Sequence, residues 1–135
     1  MKVVKKPVSV LLSFIMILSV FAIVPVSASA LDGVSYVDEN GETQTANGVT
    51  EVTGDTDTFN AGWYAVTSVI DNNYRITCNG DVHLILCDDA RLTVTFGVKV
   101  NAGSSLTIYG QSKGNGKLEL IGSGRDENAA LGSDL

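Results

Sequence analysis

Asp88 and Asp89 are the residues whose type comes closest to hydrolytic chemistry, because paired carboxyl groups cleave glycosidic bonds. Such a pair must flank the bond from separate positions, roughly 5–9 Å apart. Consecutive residues fit that geometry poorly, whereas aspartate favours chain corners. Asp88-Asp89 therefore reads as a turn. His83 is the chain's one histidine and alternates with Val82 and Leu84, which puts it on the outward side of a strand. A lone imidazole is no metal site, and no zinc-ligand spacing is present. The sequence also lacks a Gly-x-Ser-x-Gly elbow, a phosphate loop and a calcium-binding nonapeptide repeat. From these residues we assign no catalytic group, no metal ligand and no cofactor.

Trp63 and Tyr64 are the candidates for ligand contact, since sugars stack on aromatic faces. A structural reading competes with this. Tyr64 and Val66 alternate as a first strand, leaving Trp63 to cover an open end of the fold. Arg75, Thr77, Lys99 and Thr107 share one outer face and give an unspecific polar surface. The two cysteines, Cys78 and Cys87, suit a disulfide in an exported chain. On the strand pattern below, Cys78 points inward and Cys87 outward, which is poor geometry for a bridge. Free thiols are expected.

The elements that carry these residues repeat. Ile76, Cys78 and Asn79 recur 22 residues later as Val98, Val100 and Asn101, and Leu84 and Leu86 recur as Leu106 and Ile108. Leu92 and Val94 recur at an offset of 26 as Leu118 and Leu120, because residues 110–117 form a longer loop. Each pair reads apolar-x-apolar, the pattern of a short strand with one buried face. Three such strands per period describe one coil of a β-solenoid.

In such a coil Ile76 and Cys78 point inward and Asn79-Gly80 turns a corner. Val82, Leu84 and Leu86 point inward, with His83, Ile85 and Cys87 outward. Asp88-Asp89-Ala90 turns again, and Leu92, Val94 and Phe96 form a third inward row. Stacked coils pair each strand with the one above and build continuous apolar ladders. Asn79 and Asn101 fall at matching corners and suit an asparagine ladder, each amide bonding its neighbour's backbone. A leucine-rich repeat has a similar period but needs a different motif and a return arm. The expected fold is all-β, a short parallel β-helix of about two coils with an N-terminal hairpin or cap. A β-sandwich is the alternative, because many short strands with regular turns also suit it.

Location is legible at the N-terminus. Lys2, Lys5 and Lys6 form a basic head, residues 8–24 are apolar apart from Ser9, Ser13 and Ser19, and Ala28-Ser29-Ala30 offers a cleavage site. As a helix the apolar run reaches about 25 Å, short of a ~30 Å hydrocarbon core. Residues 1–30 thus read as a signal peptide, with no membrane span after cleavage and a secreted or cell-surface product. Losing those three lysines leaves six basic against fifteen acidic residues, a net charge of −9. That charge argues against nucleic acid, whose phosphates need neutralising, and against anionic lipid.

Composition divides the remainder. Residues 31–61 are polar and acidic, with Glu39-Asn40-Gly41-Glu42 signalling a hairpin and Val49 and Val52 a further weak strand. Residues 62–135 carry the solenoid coils and return to Gly, Asp and Asn after residue 122, too polar and short for a cap. A truncated coil stack is the expectation there.

Gly62-Trp63-Tyr64-Ala65-Val66, Gly80-Asp81-Val82-His83-Leu84-Ile85-Leu86, Leu92-Thr93-Val94 and Ser105-Leu106-Thr107-Ile108-Tyr109-Gly110-Gln111-Ser112 together resemble one family. It comprises large secreted and surface proteins of Gram-positive gut bacteria with a pectate-lyase-like right-handed parallel β-helix. The resemblance covers residues 36–134. It implies an N-terminal piece of a longer helix, with Ala130-Leu131-Gly132-Ser133-Asp134 starting the next coil, and it transfers no catalytic residue. Two functions are consistent with it. One is a non-enzymatic extracellular scaffold or adhesin-like module, with extracellular polysaccharide or a host or bacterial surface glycan as partner. The other is the N-terminal fragment of a carbohydrate-active lyase or hydrolase lacking its catalytic coils.

Overall fold

A computed structural model describes residues 30–122 and the backbone of residues 131–133. Residues 1–29, on which the signal-peptide expectation falls, and the tail segments 123–130 and 134–135 lie outside the described residues. The described chain is all-β and its sheet pairing is mostly parallel.

The N-terminal part forms β1 (Ala30–Leu31), the hairpin β2 (Val34–Val37) and β3 (Thr43–Ala46), and β4 (Val49–Glu51). β2 and β3 pair antiparallel with Val37 opposite Thr43. Of the Asn40-Gly41 pair only Gly41 takes a positive φ, +81°. Its N–H donates to the Asp38 carbonyl at 3.0 Å, so the connection is a three-residue loop closed by a left-handed glycine. The Asp38 carboxylate caps this loop by accepting from the N–H groups of Asn40 and Glu42, both at 2.9 Å. The Glu42 bond, ahead of the other bonds, holds the Asp38 carboxyl below its usual range.

Two rows of parallel strands follow. The first contains β5 (Thr58–Val66), β7 (Ile76–Leu86), and then β9 (Val98–Val100) and β10 (Ser105–Gly110), both laid on β7. The second contains β6 (Val69–Asn72), β8 (Arg91–Val94) and β11 (Lys117–Leu120). β12 (Leu131–Ser133) pairs parallel with β9. The composition boundary at 61/62 falls inside β5, where a bulge between Asn60 and Gly62 shifts the register. The Asn79-Gly80 corner likewise bends β7 without ending it. Gly80 has φ +84°, and a Cβ there would sit 2.8 Å from Ala61 Cβ, so the corner accepts only glycine without adjustment.

Register corrects one expectation. Leu84 lies beside Ile108, not Leu106, and Leu106 lies beside Val82. Ile76 and Cys78 do pair with Val98 and Val100 at the expected 22. The three residues Ala102-Gly103-Ser104 then occupy the corner that Gly80 fills alone, which lengthens the offset to 24. The offset reaches 26 by Lys117 opposite Arg91. Both of these increments are even, so inward residues stay inward, because strand side chains alternate with a period of two.

The inward residues Phe59, Val66, Ile76, Cys78, Val82, Leu84, Leu92 and Val94 form the main core. Two residues of the outer face are nonetheless shielded from water. Ile85 is fully buried, in a second cluster with Ala46, Val49 and Ala65, because the N-terminal hairpin covers the outer face of β5 and β7. Cys87 is half-buried and packs against both clusters. One inward assignment fails. β8 ends at Val94, and Phe96 lies beyond it, 46% exposed.

Asn72 occupies an inward position opposite Val94 yet is completely buried. Its Nδ2 donates to the Thr56 carbonyl at 2.6 Å and its Oδ1 accepts from the Tyr74 N–H at 2.8 Å. A buried amide is tolerated because both ends are paired. Asn72→Ala strands both partners and is expected to lower stability by about 1–3 kcal/mol. Urea denaturation of the two proteins measures the difference.

Candidate functional site

Trp63 and Tyr64 point to opposite faces, as neighbours on a strand must. Tyr64 turns toward the main core, with its ring 4.4 Å from that of Phe59 and its hydroxyl accepting from the Asn60 N–H at 2.9 Å. Trp63 does not cover an open end. It lies on the outer face, stacked on His83 at 4.4 Å between ring centres, with Tyr36 at 4.9 Å and Tyr109 at 5.4 Å. Strands β2, β5, β7 and β10 each supply one ring of this cluster. β5 and β7 place Trp63 directly beside His83 in register. Neither predicted contact residue is a free platform, and no single surface presents both.

The cluster holds a polar chain. Asp81 Oδ2 lies 3.3 Å from His83 Nε2, and His83 Nδ1 lies 3.2 Å from the Tyr109 hydroxyl. Ser105 Oγ donates to Asp81 Oδ1; this bond, with the histidine, holds the Asp81 carboxyl below its usual range. Burial first, then Tyr36, Glu39 and Asp81 nearby, pushes the Tyr109 phenol up. Carboxylate, imidazole and phenol in series resemble a proton relay. A general base, however, needs a ring nitrogen within reach of a substrate proton. Both His83 nitrogens are engaged by the chain's own groups, and Trp63 covers a ring face. The polar chain ties β7 to β10, while the ring contacts of Tyr36 with Trp63 and Tyr109 join the hairpin to these strands.

Asp88 and Asp89 form a locked corner. Asp89 has a left-handed φ of 64°, which aspartate tolerates better than most residues. Its carboxylate accepts from Lys113 Nζ at 2.9 Å and from Asn115 Nδ2 at 2.6 Å; these bonds, the lysine's first, hold the Asp89 carboxyl below its usual range. The Asp88 N–H donates to Gln111 Oε1 at 2.8 Å. These bonds tie the corner to the 111–115 loop of the next repeat. Asn79 and Asn101 do meet, but the Asn101 amide donates to the Asn79 side-chain carbonyl rather than to backbone.

Leu84, Leu86, Leu106 and Ile108 lie on adjacent strands facing the same way. Leu84 and Leu86 are buried, Leu106 is half-buried and Ile108 is 43% exposed, because β10 is the outermost described strand of that row. Of the polar surface, Thr77 and Lys99 are register neighbours. Among the described residues no group of three His, Cys, Asp or Glu side chains is placed to hold a metal ion. No helix among them is long and apolar enough to cross a membrane.

Both cysteines are free. Burial pushes the Cys78 thiol up to about 11, and burial with Asp88 and Glu51 nearby also raises Cys87. The neutral thiol is therefore favoured by folding. That contribution is complete below the unfolded value near 9 and is lost as pH rises from there through about 11. In native protein at pH 8, Cys78 is expected to resist iodoacetamide while urea-unfolded protein reacts readily. Mass spectrometry of the alkylated peptides measures this, and equal rates would contradict the burial.

Compared with known proteins, the chain matches no family model, no curated protein and no solved structure.

Proposed function

We propose that the chain is a secreted, non-enzymatic extracellular module. It is a short parallel β-helix serving as a surface scaffold that touches glycans on a bacterial or host surface. The observation carrying this reading is the pairing: β5, β7 and β10, and β6, β8 and β11, lie parallel in order, with inward residues kept inward through each change of offset. Immunoglobulin-type sandwiches are antiparallel, whereas stacked coils add parallel strands. The basic head, apolar run and Ala28-Ser29-Ala30 support export. The resemblance to secreted β-helix proteins of Gram-positive bacteria points the same way. The engaged nitrogens of His83 and the locked Asp88-Asp89 corner favour a scaffold over a lyase or hydrolase fragment.

Expression of the full chain in a Gram-positive host tests the reading. The expected product is found in the medium, begins at Leu31 by mass, is retained on a polysaccharide resin and releases no sugar from it. Retention in the membrane fraction with the leader attached, or turnover of polysaccharide, would contradict it.

A further inference from the structure

We propose that the corner carrying Tyr74 and Phe96 binds a neutral, β-linked polysaccharide by stacking sugar rings on the two aromatic faces. This rests on the glycan-contacting reading above and gives it a site. Tyr74 lies between β6 and β7, and Phe96 lies between β8 and β9, at the same corner of successive repeats. Backbone bonds from Thr95 N–H to the Asn72 carbonyl (3.0 Å) and from Ile76 N–H to the Gly97 carbonyl (3.1 Å) hold the two corners together. The rings are 51% and 46% exposed. With Asn73 and Arg75 they line a shallow, open depression of the surface.

Elsewhere the large rings are occupied with each other. Tyr36, Trp63, His83 and Tyr109 stack together, and Phe59 packs on Tyr64. Among the described residues, Tyr74 and Phe96 are the aromatic side chains without such a ring contact. Nor is their corner loose. The buried Asn72 side chain fixes the Tyr74 N–H, Arg75 Nε donates to the Phe96 carbonyl at 3.1 Å, and Thr95 Oγ1 donates to Asn73 Oδ1 at 3.3 Å. A fixed platform spares a ligand the cost of ordering it.

The chemistry of this depression selects the occupant. A pyranose ring in a β-linked chain presents a flat C–H face with hydroxyls at its edges. Two exposed rings meet the face, and the Asn73 amide beside them meets hydroxyls. A polyuronate would be repelled, since residues 31–135 carry six basic against fifteen acidic groups.

Affinity electrophoresis of the secreted chain, in gels holding a soluble β-1,4-linked glucan, polygalacturonate or no polymer, tests the assignment. Retardation by the glucan alone is expected. Tyr74→Ala with Phe96→Ala should weaken it about tenfold or more, while Tyr74→Phe, which keeps the ring, should retain it. Unchanged Trp63 fluorescence verifies that each variant is folded. Equal retardation of the double variant would overturn the site while leaving the glycan-contacting module standing. No retardation of the wild type by either polymer would overturn glycan contact itself. Retardation by polygalacturonate alone would overturn the neutral ligand class. Self-association abolished by the double variant would assign the corner to a second copy of the chain and overturn the proposal.

Discussion

Replacing Leu84 with alanine is expected to lower the unfolding free energy by about 2–5 kcal/mol, while Ile108→Ala costs less than half as much. The two side chains are register neighbours in one inward row. Leu84 is 1% exposed, between Tyr64 of β5 and Ile108 of β10, whereas Ile108 is 43% exposed on the outermost described strand. Truncating Leu84 removes transfer energy and leaves a cavity between packed neighbours. At Ile108 part of the apolar surface is already wet, so both contributions shrink. Urea titration followed by Trp63 fluorescence gives both values. Equal losses would mean that this row does not run from a closed interior to an open side.

Ile85→Asp is expected to be of similar or greater severity, of the order of 4 kcal/mol. By strand alternation Ile85 belongs to the solvent side of β7, where aspartate would be harmless. It is instead completely buried with Ala46, Val49 and Ala65. A carboxylate there has no partner and must ionise in an apolar setting or displace the hairpin. Trp63, the chain's one tryptophan, reports the second outcome directly through a red shift of its emission. Lowering the pH should recover part of the lost stability, because a neutral carboxyl is cheaper to bury. A loss below about 1 kcal/mol would show that the outer face is open to water.

Much of the strand plan is legible in the sequence, because inward residues repeat with a period of two and corners carry Gly, Asn and Asp. A constant offset sets Leu84 against Leu106, where the structure has Ile108, because it cannot see how many residues a corner absorbs. Gly80 turns alone where Ala102-Gly103-Ser104 are used in the next repeat. Burial of the outer face has a signal that alternation alone discards. Trp63, Ala65, Ile85 and Tyr109 all have outward parity, and so many apolar residues on a nominally wet face imply a cover. What covers them is not legible, since the hairpin contributes only Tyr36 and a few small apolar groups from a polar segment. Trp63 drew attention as a sugar platform by its type, but its use depends on His83 and Tyr36, which are distant in sequence. The Leu92-Val94 alternation points Phe96 inward only if it extends two residues past the end of β8.

Interstrand nuclear Overhauser contacts in the isotope-labelled chain offer the sharpest test. Parallel rows stacked in the described register put Ile108 against Leu84, Leu118 against Leu92 and Trp63 against His83. Cross-peaks between those pairs are the expected result. An antiparallel pattern between β7 and β10, or β8 and β11, would contradict stacked parallel repeats, and with them the scaffold and the corner that Tyr74 and Phe96 share.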